Sequence, residues 1–277
     1  MKTLLIKSVG SYLNLMSYIS KPYAGNKALN LFTHPRKGRV LEWQVDFLNT
    51  AYKEELSYNN LPIMTYRWLG DKTKDTILLA HGWESNSYRW NSIIPELNKK
   101  GYTIVALDAP AHGHSGGSEF NALLYAEFIN VVAKRFKPQI IMAHSVGGMA
   151  ATVFQNKYQI PSLEKLILLG APSEFKDIIS RYVDLLGYSN RLSHQLNKAI
   201  IRRFGIAPNE FSTADYLNSV KTKGLIIHDK NDPVIPYNDA LLLNNSLKNS
   251  TLISTEGLGH SLNDASVRDH IYNFLEA

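Results

Sequence analysis

From residue 76 to residue 255 the chain repeats one pattern: a run of apolar residues without alternation, then a stretch in which apolar residues recur every three or four positions. The runs fall at 76–80, 102–108, 139–143, 166–170, 224–228 and 251–255. Continuous apolar runs of this length are expected of parallel strands covered on both faces. Helical periodicity marks 88–100, 121–136, 148–158, 238–249 and 265–277. The alternation predicts an α/β protein with a mostly parallel, doubly wound sheet and its ligand site at the carboxyl ends of the strands. Upstream, residues 55–69 alternate loosely around Asn59-Asn60-Leu61-Pro62 and read as an antiparallel hairpin leading into the sheet.

One connection breaks the rhythm. Roughly fifty residues separate the run ending at Gly170 from the one starting at Gly224, far more than one crossover helix needs. Ile178, Ile179, Tyr182, Leu185 and Leu186 form one apolar stripe there, and Leu192, Leu196, Ile200 and Phe204 another. A further helical stripe opens the chain: Leu5, Val9, Tyr12, Leu13, Met16 and Ile19. Lys7, Ser8, Gly10 and Asn14 interrupt it well short of the ~20 apolar residues of a membrane span. A signal peptide fits poorly, because Lys7 breaks the run and no small-x-small site follows. The expectation is a helix that docks its stripe on the domain. The alternative is an interfacial helix that meets anionic lipid through its lysines.

Composition narrows the chemistry. The 277 residues include no cysteine, so disulfides, thiolate metal sites and cysteine nucleophiles are excluded. The net charge of +6 is localised: residues 1–41 hold Lys2, Lys7, Lys21, Lys27, Arg36, Lys37 and Arg39 and no acid, and the remainder sums to about −1. A balanced body gives no support to nucleic-acid binding. No P-loop, dinucleotide fingerprint or His-Glu-x-x-His helix is present, so no cofactor is implied. The expected location is cytoplasmic, with peripheral membrane contact through residues 1–40 as the alternative.

The sharpest chemical signal is Gln139-Ile-Ile-Met-Ala-His-Ser-Val-Gly-Gly148, an apolar run ending in a serine among small residues, with a helical pattern directly after it. That is the form of a nucleophile elbow centred on Ser145. A strand that reverses into a helix within a few residues strains the serine backbone, and Ala143, Gly147 and Gly148 relieve the crowding. The hydroxyl then stands beside a helix N-terminus, where free N–H groups favour negative charge. A base is best sought at His260, in the glycine-bearing loop 256–261 before the terminal helix, although a loop histidine is also often a solvated surface group. Asp232, stiffened by Pro233, is the candidate acid, with Asp229 as fallback; either could instead close an Asx-turn. The run 76–80 ends in His81-Gly82-Trp83, and the backbone N–H groups of Trp83 and Val146 are the candidate oxyanion donors.

With Ser145, Asp232 and His260 in the order Ser, Asp, His, each after an expected strand, the chain resembles the α/β-hydrolase superfamily. Ala106-Leu-Asp-Ala-Pro-Ala-His-Gly-His-Ser115 also looks like the family's loop after the fourth strand. The resemblance covers roughly residues 55–277. Ala143 and Ala111 depart from it, standing where glycines are usual. It implies a hydrolase core at 54–171 and 223–277, a helical cap at 172–222 inserted after the sixth strand, and a basic helical segment at 1–53. In such a layout the cap roofs the site and sets substrate choice. Its Arg181, Arg191, His194, Lys198, Arg202 and Arg203 are either the wet face of amphipathic helices or a lining for an anionic substrate.

The resemblance further implies acyl transfer from a small-molecule substrate: Ser145 attacks a carbonyl, His260 carries the proton, and Asp232 orients the imidazole. A carboxylic ester is the expected substrate. The alternatives are a thioesterase, carbon–carbon bond hydrolase or perhydrolase using the same triad, or a non-catalytic receptor on the same scaffold. The serine argues against the family's dehalogenases and epoxide hydrolases, which use an aspartate. His112 and His114 lack further partners at ligand spacing, so no metal is implied and the resemblance assigns them to a structural loop. His81 and His144 are expected to serve local hydrogen bonding.

Overall fold

A sheet residue with helices on both sides has nowhere to expose a polar side chain, and the central strands follow that constraint. The hairpin is Tyr52–Tyr58 (β1) and Leu61–Trp68 (β2), followed by Thr76–Ala80 (β3), Thr103–Leu107 (β4), Ile140–His144 (β5), Lys165–Leu169 (β6), Lys223–Asp229 (β7) and Ser250–Thr255 (β8). Strands β3 to β7 are buried along nearly their whole length, whereas β8 is half-exposed. The computed structural model describes residues 2–277, with side chains from Ile6 onward. Leu5 of the expected N-terminal stripe and the Lys2 side chain lie outside the described residues.

The strands order as β1-β2-β4-β3-β5-β6-β7-β8. The pairs β1–β2 and β2–β4 are antiparallel and the rest parallel, which is the mostly parallel, doubly wound sheet expected. Asn59 and Asn60 close the hairpin, both at positive φ, a conformation asparagine tolerates in two-residue turns.

The helices are α1 (Lys2–Ile19), α2 (Lys21–Thr33), α3 (Glu42–Leu48), α4 (Ile94–Lys99), α5 (Ala122–Phe136), α6 (Val146–Tyr158), α7 (Phe175–Leu186), α8 (Asn190–Phe204), α9 (Thr213–Leu217), α10 (Tyr237–Ser246) and α11 (Ala265–Glu276). The single helix expected at 88–100 is split. Ser87–Trp90 forms a 3-10 turn and α4 starts only at Ile94, with Pro95 in its first turn. Proline fits there because the missing N–H has no acceptor at a helix start, but in a continuous helix it would clash with the preceding turn.

The chain divides into two compact units: residues up to His34 with Glu174–Ser212, and Pro35–Ser173 with Thr213–Ala277. The first unit is helical. Leu13 of α1, Ala24, Ala28 and Leu29 of α2, Ile179 and Leu186 of α7, and Leu192, Leu196 and Ile200 of α8 share one apolar core. Segments remote in sequence thus complete each other's buried faces. Backbones approach closely where side chains vanish: a Cβ added at Gly10 would lie 1.7 Å from the Leu186 carbonyl oxygen, and one at Gly25 2.5 Å from that of Gln195. Two of the basic residues at 174–212 turn inward on the unit itself. Arg191 Nε donates to the Ser17 carbonyl at 3.1 Å, and Arg202 reaches Asn26 Oδ1 at 2.6 Å. The second unit contains the sheet with its flanking helices and every candidate site residue.

Candidate active site

Strand β5 carries the chain through the middle of the sheet and stops at His144, so Ser145 begins the turn into α6. Ser145 has φ 54° and ψ −131°, a strained combination for any residue with a side chain. Its N–H donates to the Leu169 carbonyl at 2.9 Å, tying the elbow to the end of β6. The two glycines behind it let α6 start this close to the sheet. A Cβ at Gly147 would lie 2.5 Å from the His81 oxygen, and one at Gly148 2.6 Å from Ala171 Cβ. Gly82 serves the facing loop in the same way, since a Cβ there would sit 2.9 Å from Ser145 Cβ. The backbone leading into Trp83 therefore passes against the serine. Val146 opens α6, so by position its N–H has no acceptor within the helix.

The loop after β8 brings His260 to the serine. Ser145 Oγ lies 2.9 Å from His260 Nε2, and His260 Nδ1 lies 2.7 Å from Asp232 Oδ2. A carboxylate can only accept, so this contact places the proton on Nδ1 and leaves Nε2 to accept from the serine hydroxyl. Asp232 is fixed from the other side: its Oδ1 accepts the N–H groups of Val234 at 2.7 Å and Ile235 at 3.0 Å. Burial pushes its carboxyl upward, but the hydrogen bonds from His260, Ile235 and Val234 outweigh that and hold it below the ordinary carboxylate value.

The two aspartates of this loop have separate tasks. Asp229 Oδ2 accepts from Thr255 Oγ1 at 2.8 Å and from the Leu258 N–H at 2.9 Å, while Oδ1 accepts the Asn231 N–H at 3.0 Å. Burial would raise its carboxyl too, yet these bonds leave it lowered. Asp229 thus braces the loop that carries His260, and Asp232 touches the imidazole.

Further side chains hold the loops. His144 Nε2 donates to the His260 carbonyl at 2.8 Å, and Arg89 donates to the Ser261 carbonyl, so two successive carbonyls of the histidine loop are gripped. Burial keeps His144 well below the ordinary imidazole value, with the charge of Arg89 acting the same way. His81 Nδ1 donates to the Gly82 carbonyl at 2.8 Å while Nε2 accepts the Ala109 N–H at 3.0 Å. His112 accepts the Glu84 N–H at 2.9 Å and donates to the Pro110 carbonyl at 2.8 Å. Both rings are neutral by their bonding, and burial lowers each to about 4. The loop Gly82-Trp83-Glu84 is therefore clamped by two neutral imidazoles. Asp108 closes the neighbouring turn by accepting from Ser87 Oγ, Tyr66 and the His114 N–H.

Sequence reading did not single out Arg89 or His228. His228, next to last in β7, has its ring fully buried, donates to the Ile235 carbonyl at 3.0 Å and lies 3.5 Å from Asp232 Oδ2. It ends an apolar run, which was the one available signal. Arg89 had none, since its target is a backbone carbonyl far along the chain. Among the described residues, no group of three or more His, Asp or Glu side chains is arranged to hold a metal ion.

Residues 75–186 match the family described as alpha/beta hydrolase fold, and residues 207–277 match the TAP-like protein family. The chain is 21% identical to the AB hydrolase superfamily protein YisY of Bacillus subtilis, over 66% of this chain and 84% of that one. It is 24% identical to the serine hydrolase BPHL of Homo sapiens, over 68% and 73% of the respective chains. Among solved structures, the esterase EaEST of Exiguobacterium antarcticum superposes with a TM-score of 0.64 at 17% identity, covering 82% of this chain and all of that one. The chain belongs to the α/β-hydrolase superfamily and is an enzyme of that class.

Proposed function

We propose that the protein is a serine hydrolase that cleaves a carboxylic ester through an acyl-enzyme intermediate. The observation that carries this reading is the unbroken hydrogen-bonded line from Ser145 Oγ through His260 to Asp232, 2.9 Å and 2.7 Å long, with the serine on a strained elbow. His260 Nε2 takes the hydroxyl proton as Ser145 attacks the carbonyl carbon, and the N–H groups of Trp83 and Val146 receive the developing oxyanion. The imidazolium, steadied by the Asp232 carboxylate, then returns its proton to the departing alkoxide. Water enters and attacks the acyl carbon while giving its proton to the same imidazole, which returns it to Ser145 Oγ as the ester bond to the serine breaks and the acid leaves. Each oxyanion donor is worth on the order of 3 kcal/mol in such chemistry, so the clamping of the Gly82–Glu84 loop supports the triad with a substantial share of the rate.

A fluorophosphonate probe should label the wild-type chain at Ser145 and leave Ser145→Ala unlabelled. A panel of p-nitrophenyl esters of increasing acyl length, with matched thioesters, should show turnover of the esters that disappears in Ser145→Ala. An unlabelled wild-type chain would point to a receptor on the same scaffold. Faster turnover of thioesters than of esters would move the assignment to a thioesterase.

A further inference from the structure

The N-terminal stripe has two faces. Ile6, Val9, Leu13 and Met16 of α1 pack into or against the core of the helical unit. Tyr12, Leu15, Tyr18 and Ile19 occupy a different arc of the same helix, and they are exposed, Leu15 at 64%, Tyr18 at 69% and Ile19 at 73%. At 100° per residue these four positions span about a third of the helix circumference. Tyr23 at the start of α2 is exposed as well and extends the patch. A helix that has already buried one apolar face does not need a second for its own folding. Five large apolar or aromatic side chains within twelve residues is more than scattered surface hydrophobicity.

Charge says what could cover this patch. The helical unit holds ten lysines and arginines against four acids, a net of +6, and residues 1–34 contain no acid. Lys7 is exposed on α1 at the edge of the tyrosine arc, and Lys21 is exposed where α2 begins. Arg191 places its guanidinium 4.5 Å from the centre of the Tyr18 ring. Tyrosines suit the boundary between headgroups and acyl chains, being apolar in the ring and polar at the tip. Lysines at the rim of an apolar arc suit anionic headgroups. No described helix is long and apolar enough to cross a membrane, so insertion would be shallow.

We infer that the exposed arc of α1 and the start of α2 form a docking surface for an acidic lipid bilayer, with Leu15, Tyr18 and Ile19 entering the headgroup boundary and Lys7 and Lys21 meeting anionic headgroups. This does not rest on the hydrolase reading, and its test does not measure hydrolysis.

The test uses the full chain and sucrose-loaded vesicles of phosphatidylcholine, alone or with phosphatidylglycerol. The wild type should sediment with the phosphatidylglycerol vesicles at low salt, less at high salt, and hardly with phosphatidylcholine alone. Leu15→Ser with Tyr18→Ser and Ile19→Ser should weaken the partition by about tenfold or more, and Lys7→Glu with Lys21→Glu by about tenfold. Both variants change exposed side chains, so melting temperature and helical circular dichroism should stay at the wild-type level, separating lost docking from lost folding. Failure of the wild type to sediment with acidic vesicles at low salt would overturn the inference. So would undiminished sedimentation of the triple variant, or a dimer in solution that the same three substitutions dissociate, since the occupant would then be a second copy of the chain.

Discussion

The helical unit and the sheet unit solve the folding problem with different materials. The helical unit buries an almost purely apolar core and keeps the whole net charge of the chain; the sheet unit balances twenty basic residues with twenty acids. The sheet unit instead buries its ionisable groups: His81, Asp108, His112, His144, His228 and Asp229 all lie out of solvent. Backbone strain divides in the same way. Among the described residues, every non-glycine at positive φ, including Glu84, Ala111, Ser145 and Leu262, is in the sheet unit, whereas the helical unit uses only Gly187 and Gly205 there. Strain and buried polarity are costs a protein carries where geometry must be held for chemistry. The helical unit carries no such strain outside its glycines and, among its described residues, buries only small hydroxyl side chains such as Ser17, Thr33 and Ser212.

The largest way to break this contrast is to alter the polar network at the imidazole. Asp232→Asn should lower kcat/KM on soluble esters on the order of 10⁴-fold, because the amide no longer fixes the proton on Nδ1 or steadies the imidazolium. Asp229→Asn should cost far less rate and mainly stability, as its carboxylate grips the loop backbone and not the ring. Steady-state kinetics and urea melts of the two variants decide it; equal rate losses would show that the two aspartates do not have separate tasks.

Acid should act on the sheet unit next. His81 and His112 are lowered to about 4 in the folded state, against about 6.5 when unfolded. Between those values the unfolded chain binds protons that the folded one refuses, so stability falls as pH drops through that window and is flat above it. For the fully buried His81 alone the loss approaches about 3 kcal/mol by pH 4. Asp229 and Asp232 have the opposite origin and the same direction. Their lowered carboxyls contribute stability above the ordinary carboxylate value and lose it as pH falls through the folded one. Urea melts at pH 7, 5.5 and 4 should show a falling midpoint, with the part due to His81 removed in His81→Asn. A flat profile would mean that the imidazoles take up protons in place.

The helical unit should fail through packing. Glycine to alanine inside a helix ordinarily stabilises by up to about 1 kcal/mol. At Gly10 and Gly25 the new methyl would meet a backbone carbonyl, which cannot rotate away, so the sign should reverse to a loss of about 1 to 3 kcal/mol. Faster amide hydrogen exchange in α8 would report it, and slower exchange would show that the helices part without cost.

Much of this was legible in the sequence because it is written locally. The apolar runs gave the parallel strands, and the serine among small residues gave the elbow, since both depend on neighbours a few positions apart. What long-range contact decides was not legible. Gly10 interrupts an apolar stripe when read along the chain; only the approach of Leu186 shows why no side chain fits there. The periodicity predicts one apolar face, but the stripe mixes Leu13, which is buried, with Tyr12 and Ile19, which are exposed. Pro233 favours Asp232 over Asp229 as the acid but leaves Asp229 as a fallback, because either can close an Asx-turn and the choice depends on which carboxylate meets the imidazole carried by the β8–α11 loop.

The smallest prediction concerns a place where strain was kept without an evident need. Ala111 adopts φ 63° in the Asp-x-Pro loop, and its N–H donates to the Gly116 carbonyl at 2.8 Å. A left-handed conformation costs an L-residue about 1 to 2 kcal/mol. Glycine removes that cost but gives back about 0.4 to 1 kcal/mol through the freedom of its unfolded chain, and the buried methyl of Ala111 is lost as well. Ala111→Gly should therefore stabilise the sheet unit by only about 0.5 kcal/mol. Two residues on, Gly113 has no such latitude, because a Cβ there would lie 2.0 Å from the Asp108 carboxyl. A rise in the urea midpoint for Ala111→Gly with unchanged ester turnover would mark the strain at 111 as incidental. A fall in turnover at undiminished stability would mean that the bent alanine helps hold His112, and through it the Glu84 N–H, in place.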